Sequence, residues 1–255
     1  MSSLIDHPPY VFALSFLILS LSVWIGVSSR QSQRTLHDKV REDLGVIQAA
    51  TLTLLALIIG FTFSMAVSRY DQRKNYEEAE ANAIGTEYVR ADLLPAADAA
   101  KVRALLLNYI DQRILFYNTR AEQKRRQIDA QTAKLQAELW SAVKAPAVAQ
   151  PTPVVALAVT GMNDVLNSQS YTEAAWWNRI PLSAWGLMAA IAICANVLVG
   201  FGARTVKAES TLLLVMPFVI SIAFFLVADI DSPRGGIIRL QPQNLLNLSQ
   251  SLRAQ

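Results

Sequence analysis

The chain has 255 residues, 53% of them hydrophobic and 17% charged. Soluble domains carry about 25% charged residues, so this balance excludes an ordinary soluble globule and favours a membrane domain with a modest soluble part. The net charge of +3 comes with no basic block interleaved with aromatics, which argues against nucleic acid as a partner. Two histidines and one cysteine leave no disulfide framework and little with which to hold a metal or cofactor, so none is expected.

A helix needs about 20 mostly apolar residues to cross a bilayer, and four windows qualify. The first covers 9–29. Asp6 precedes it, no basic residue does, and its apolar core is too long for a cleaved leader, so it reads as a retained helix. The second covers 45–68 and ends at Arg69. At about 100° per residue, Thr53, Leu57, Phe61, Ser64 and Ser68 fall within one stripe roughly 80° wide. Around a symmetric oligomer such a stripe would line a wettable passage narrowed at Leu57 and Phe61, and apolar constrictions gate by losing water. The plainer reading is that membrane Thr and Ser residues bond to helix carbonyls or to neighbouring helices.

From 69 to 179 the chain turns polar and reads as a helical soluble insertion. Tyr76, Ala79, Ala83, Ile84 and Tyr88 form an amphipathic stripe that ends before Pro95, and Gly85 marks a close helix contact. Glu77, Glu78, Glu80 and Glu87 are expected to solvate a face and pair locally at helical spacing. Residues 96–145 lack Gly and Pro and carry a stripe through Val102, Leu106, Tyr109, Arg113 and Phe116, resumed at Ile128, Leu135 and Leu139. Unbroken, that helix would be on the order of 70 Å long, unless it folds back near Asn118 and Thr119. The segment 145–153, APAVAQPTP, reads as a loop. A last soluble helix carries Val155, Met162, Val165 and Leu166, and Trp176 and Trp177 follow as interfacial anchors.

The third and fourth windows cover 180–202 and 210–228, close enough in sequence to form an antiparallel hairpin. In the third, Gly186, Ala190 and Cys194 suit close helix packing. No window has an ionisable residue at its centre, which argues against a proton-coupled carrier. Residues 231–255 form a tail. Orientation is undecided by charge: Arg30, Arg34, Lys39, Arg41, Arg204 and Lys207 on one side are matched by Arg69, Arg73, Lys74, Arg179, Arg234 and Arg239 on the other. No phosphate loop, catalytic triad or zinc-protease motif is present, and His7 and His37 merely flank the first window, so no enzyme is expected.

Residues 60–70, GFTFSMAVSRY, resemble the end of the second helix of bestrophins, and the order of two spans, helical insertion, two spans and tail is similar. The whole chain is identified as a member of the bestrophin-like family, a mainly bacterial group of four-span membrane proteins. The segments that carry the match are EANAIGT at 80–86 (Glu80, Asn82, Gly85), NRIP at 178–181, and DIDSPRG at 229–235 (Asp229, Asp231, Pro233, Arg234).

This resemblance implies an all-α membrane protein forming a homo-oligomeric, pentameric ion channel in a bacterial inner membrane, with lipid and inorganic ions as partners. It also implies that the second helix lines the pore, that Leu57 and Phe61 form its neck, and that the insertion is cytosolic. Thr53 departs from the bulky apolar residue typical of the family, and the calcium-binding acidic run of animal bestrophins has no clear counterpart. Arg69 at the mouth of the stripe weakly favours anions. A contrasting reading is a non-conducting membrane scaffold or sensor whose insertion docks a cytosolic partner.

Overall fold

The computed structural model describes residues 4–31, 38–203 and 210–254, and among them every regular element is helical. The α-helices are α1 (Pro8–Gln31), α2 (Asp38–Arg90), α3 (Ala96–Asn118), α4 (Glu122–Ala149), α5 (Pro153–Trp177), α6 (Leu182–Gly202), α7 (Ser210–Leu213), α8 (Val215–Asp231) and α9 (Gln243–Arg253). Four stretches among the described residues are long and apolar enough to cross a membrane. The chain divides into two compact units, Met1–Tyr70 with Arg179–Arg239 and Asp71–Asn178 with Leu240–Gln255. Helix α2 contributes to both, its apolar 45–68 portion to the first. His37 and the 204–209 connection lie outside the described residues.

In the first unit α1 packs against both α6 and α8, while α6 and α8 touch each other less, so the two windows closest in sequence are not closest in space. The α1–α6 crossing is built on glycine. A Cβ on Gly26 would overlap the Val197 carbonyl oxygen, and one on Gly200 would overlap that of Val23. Without side chains at these two points the backbones approach directly, the usual way membrane helices gain packing where lipid offers no hydrophobic driving force. Gly186, Ala190 and Cys194 are instead exposed, with open space beside Gly186. The unit's apolar centre gathers Leu19, Leu55, Met188, Ala192, Ile220 and Phe224, and a second cluster holds Ala66, Ile180, Val227 and Ile230.

In the second unit, Ile84 of α2, Val102, Leu106, Tyr109 and Ile110 of α3, Leu139 of α4, Met162 of α5 and Leu245 of α9 form one core. The 96–145 region does fold back: α3 stops at Asn118, Thr119 is extended, and α4 restarts at Glu122 to pack against α3. The break falls where the apolar stripe lapses, because 119–127 has no face worth burying.

The expected loop at 145–153 is largely helix. Pro146 is buried inside the last turn of α4, and the Gln150 N–H reaches the Pro146 carbonyl at 2.8 Å. So near a helix end, proline forfeits one bond and the turn survives. Only Gln150 to Thr152 connect, and Thr152 Oγ1 accepts from the Val155 N–H at 3.2 Å to cap α5, with Pro153 at its first position.

Candidate functional site

Thr53, Leu57, Phe61, Ser64 and Ser68 are all exposed on the single chain, with Leu57 at 51% and Phe61 at 62%. The opposite side of α2 supplies the contacts with its own unit, through Leu55, Thr62 and Ala66. Of the four membrane-crossing stretches, that of α2 has the smallest buried share in its most apolar window, 6% against 22% or more in the others. Thr53 Oγ1 donates to the Ala49 carbonyl at 2.9 Å, so its hydrogen is satisfied within the helix while its methyl and oxygen stay on the stripe. No formal charge lies on this face.

At the end of the apolar stretch a polar knot forms within the first unit. Asp231, 1% exposed, closes α8 and accepts from the Ile180 N–H at 3.3 Å. Arg69 Nη1 lies 3.7 Å from one of its oxygens and Arg179 Nη1 3.8 Å from the other. Arg179 also donates to the Asp231 carbonyl at 2.7 Å and pairs with Asp6. Arg69 is therefore a half-buried partner of Asp231.

Beyond it, Asp229 folds the turn at 232–238. Its carboxylate accepts from the N–H groups of Ile237 at 2.7 Å and Ile238 at 2.8 Å, and the Ser232 hydroxyl accepts from Gly235 at 3.1 Å. Pro233 and Arg234 lie half-buried in that turn. Gly236 has no room for a Cβ, which would fall 2.6 Å from the Asp229 carbonyl. Among the described residues no three His, Cys, Asp or Glu side chains converge to hold a metal ion. His7 is exposed beside the Tyr10 ring.

The second unit corrects the expectation for the carboxylates. Glu78 is exposed, but Glu77, Glu80 and Glu87 are 1%, 0% and 0% exposed. The buried stripe of α2 here runs through Arg73, Glu77, Glu80, Ile84 and Glu87; of the apolar stripe read from sequence Ile84 is buried, Tyr76, Ala83 and Tyr88 are half-buried, and Ala79 is exposed. Glu80 pairs with Arg113 of α3 and accepts from the Tyr117 hydroxyl and from Thr172 Oγ1, each at 3.1 Å. Burial, then the Glu80 carboxylate, pushes the Tyr117 phenol well above its ordinary range, so it remains a donor.

Glu77 accepts from the Leu245 N–H at 3.0 Å and Asn244 Nδ2 at 2.6 Å, which places an anion at the N-terminus of α9. Arg73 does the converse at the end of α5, donating to the carbonyls of Ala175 at 3.3 Å and Asn178 at 3.4 Å. Gly85 makes the close contact expected of it: a Cβ there would lie 3.1 Å from Leu248 of α9. Asn82 is exposed. Trp176 is buried against Phe116 and Tyr117 and belongs to the core, while Trp177 is 82% exposed.

Sequence reasoning grouped Glu80 with its helical neighbours, yet its partners lie 33, 37 and 92 residues away. The available signal was Arg113, a charge on an otherwise apolar stripe, which calls for buried acceptors opposite it.

No curated protein sequence matches the chain. Among solved structures it is similar to a bacterial bestrophin homolog from Klebsiella pneumoniae, with a TM-score of 0.66 at 14% identity, covering 95% of this chain and 97% of that one. A tyrosine-to-alanine variant of the homolog gives 0.66 at 14% identity over 94% and 97%. A structure described as a membrane protein carrying a glycine-to-alanine change gives 0.67 at 14% over 95% and 97%. At that identity the likeness speaks for the fold alone. The bestrophin-like domain model matches residues 13–245, nearly the whole length, and the chain belongs to the bestrophin-like family.

Proposed function

We propose that this chain assembles as a homo-oligomeric ion channel whose passage is lined by Thr53, Leu57, Phe61, Ser64 and Ser68 of α2. The observation that carries the reading is that this helix, long and apolar enough to cross a membrane, leaves the stripe wholly exposed on its own chain. In a cyclic assembly, pentameric by family resemblance, five copies of Leu57 and Phe61 meet as an apolar neck. The membrane is a bacterial inner membrane and the helical insertion faces the cytosol. The stripe is uncharged and Arg69 is engaged by Asp231, which weakens the reason for an anion preference. Discrimination then rests on how readily an ion sheds water at the neck.

Liposome flux by purified wild type, Leu57→Ala and Phe61→Ala tests this. Flux is expected to rise when either neck residue is trimmed. Silence from all three, in protein shown to be folded and oligomeric, sinks the channel and leaves a membrane scaffold.

A further inference from the structure

Among the described residues, Glu87 is the one buried carboxylate of α2 in the second unit with no donor of its own. It is 0% exposed, and neither oxygen makes a hydrogen bond. Its Oε2 lies where a Cβ on Gly161 of α5 would stand, and Arg90 Nη1 is 2.6 Å from that same point. The absence of a side chain at Gly161 is what lets the two helices close over the carboxyl. Two charged groups act on it: Arg90 from its own helix with opposite sign, and Asp164 of α5 with the same sign. A cleft of about 290 Å³ beside it, lined by Asn82, Thr86, Arg90, Gly161 and Asp164, is roomy enough for water to deliver or remove a proton.

A carboxylate in such a place, without donors, is costly as an anion and far cheaper as an acid. We propose that Glu87 is a proton-binding site, closing the contact of α2 with α5 when occupied and loosening it when emptied, so that the second unit responds to pH. Burial, against the pull of Arg90 and with help from Asp164, raises this group from 4.5 to about 8. The folded state thus holds the proton more tightly than the unfolded chain does. The stabilising contribution is complete below about pH 4.5 and is lost as pH rises through about 8. Around neutrality the carboxyl is mostly protonated, and mild alkali empties it.

The test uses the full chain in detergent micelles. Hydrogen exchange at amides around Gly161, corrected for its intrinsic pH dependence, is expected to be on the order of tenfold faster at pH 9 than at pH 6. Glu87→Gln, of similar shape but without a titrating proton, should abolish most of that difference. Equal protection of the wild type at both pH values overturns the proposal, as does an undiminished pH response in a folded Glu87→Gln. Infrared spectroscopy supplies a readout that needs no variant to fold. A neutral-carboxyl band of the wild type should be present at pH 6 and gone by pH 9, and its absence at pH 6 equally overturns the assignment.

Discussion

The stretches 45–68 and 71–90 of α2 are opposites. The first is almost wholly apolar, yet its large side chains Leu54, Leu57, Phe61, Phe63 and Met65 are exposed. The second is rich in charge, yet Arg73, Glu77, Glu80 and Glu87 are buried. In water a buried charge is costly unless it is paired or neutralised; in hydrocarbon an apolar face can be left outward without penalty. What a residue costs depends on the medium, and one helix carries both sets of rules. The difference teaches that exposure along the first stretch signals lipid, another copy or a lumen, whereas polarity along the second says little about exposure.

The strongest way to break this contrast is at Arg113. Arg113→Met leaves Glu80 buried among hydroxyl donors only and is expected to cost about 3–5 kcal/mol, read as a large loss of thermal stability. Adding Glu80→Gln should recover much of it, since the amide oxygen can still accept from Tyr117 and Thr172. A tolerated Arg113→Met would deny that the charges of 71–90 are structural.

The glycines sharpen the contrast at a middle scale. Gly200→Ala drives a methyl into the Val23 carbonyl and should cost about 1–3 kcal/mol. Gly60→Ala and Gly186→Ala face open space and should change the stability of the subunit by less than about 0.5 kcal/mol. If Gly60→Ala dissociates an assembly while sparing the subunit in size-exclusion and melting experiments, that part of 45–68 touches another copy rather than lipid.

A smaller loss than at Arg113 or Gly200 is expected at Glu77. Glu77→Gln weakens the anionic cap on α9 and should cost about 1 kcal/mol, detected as faster proteolysis near Leu245. Its exposed neighbour provides the control: Glu78→Gln should leave the same digestion unchanged.

Much of the architecture was legible because its signals are long. Four apolar windows and the tight approach at Gly85 follow from hydropathy and a missing side chain, while the lapse of the stripe after Phe116 allows either an unbroken helix or the fold-back near Thr119. The segment at 229–235 was recognisable by family. What stayed hidden depended on partners remote in sequence. Pro146 inside α4, Trp176 in the core and the burial of Glu77, Glu80 and Glu87 are set by which helices pack together, information a local pattern lacks. The Gly26–Gly200 crossing was missed for a related reason: each glycine sits in its own window, and nothing in either one names the other.

The knot at Asp231 has a consequence for biogenesis. Its members are residues 6, 69, 179 and 231, drawn from nearly the full length of the chain. While the first three membrane-crossing stretches are being made, Arg69 and Arg179 have no Asp231 to neutralise them. The arrangement closes only when the end of α8 emerges. A nascent chain that stops before that point therefore carries both guanidinium groups at the ends of its apolar segments without their shared carboxylate.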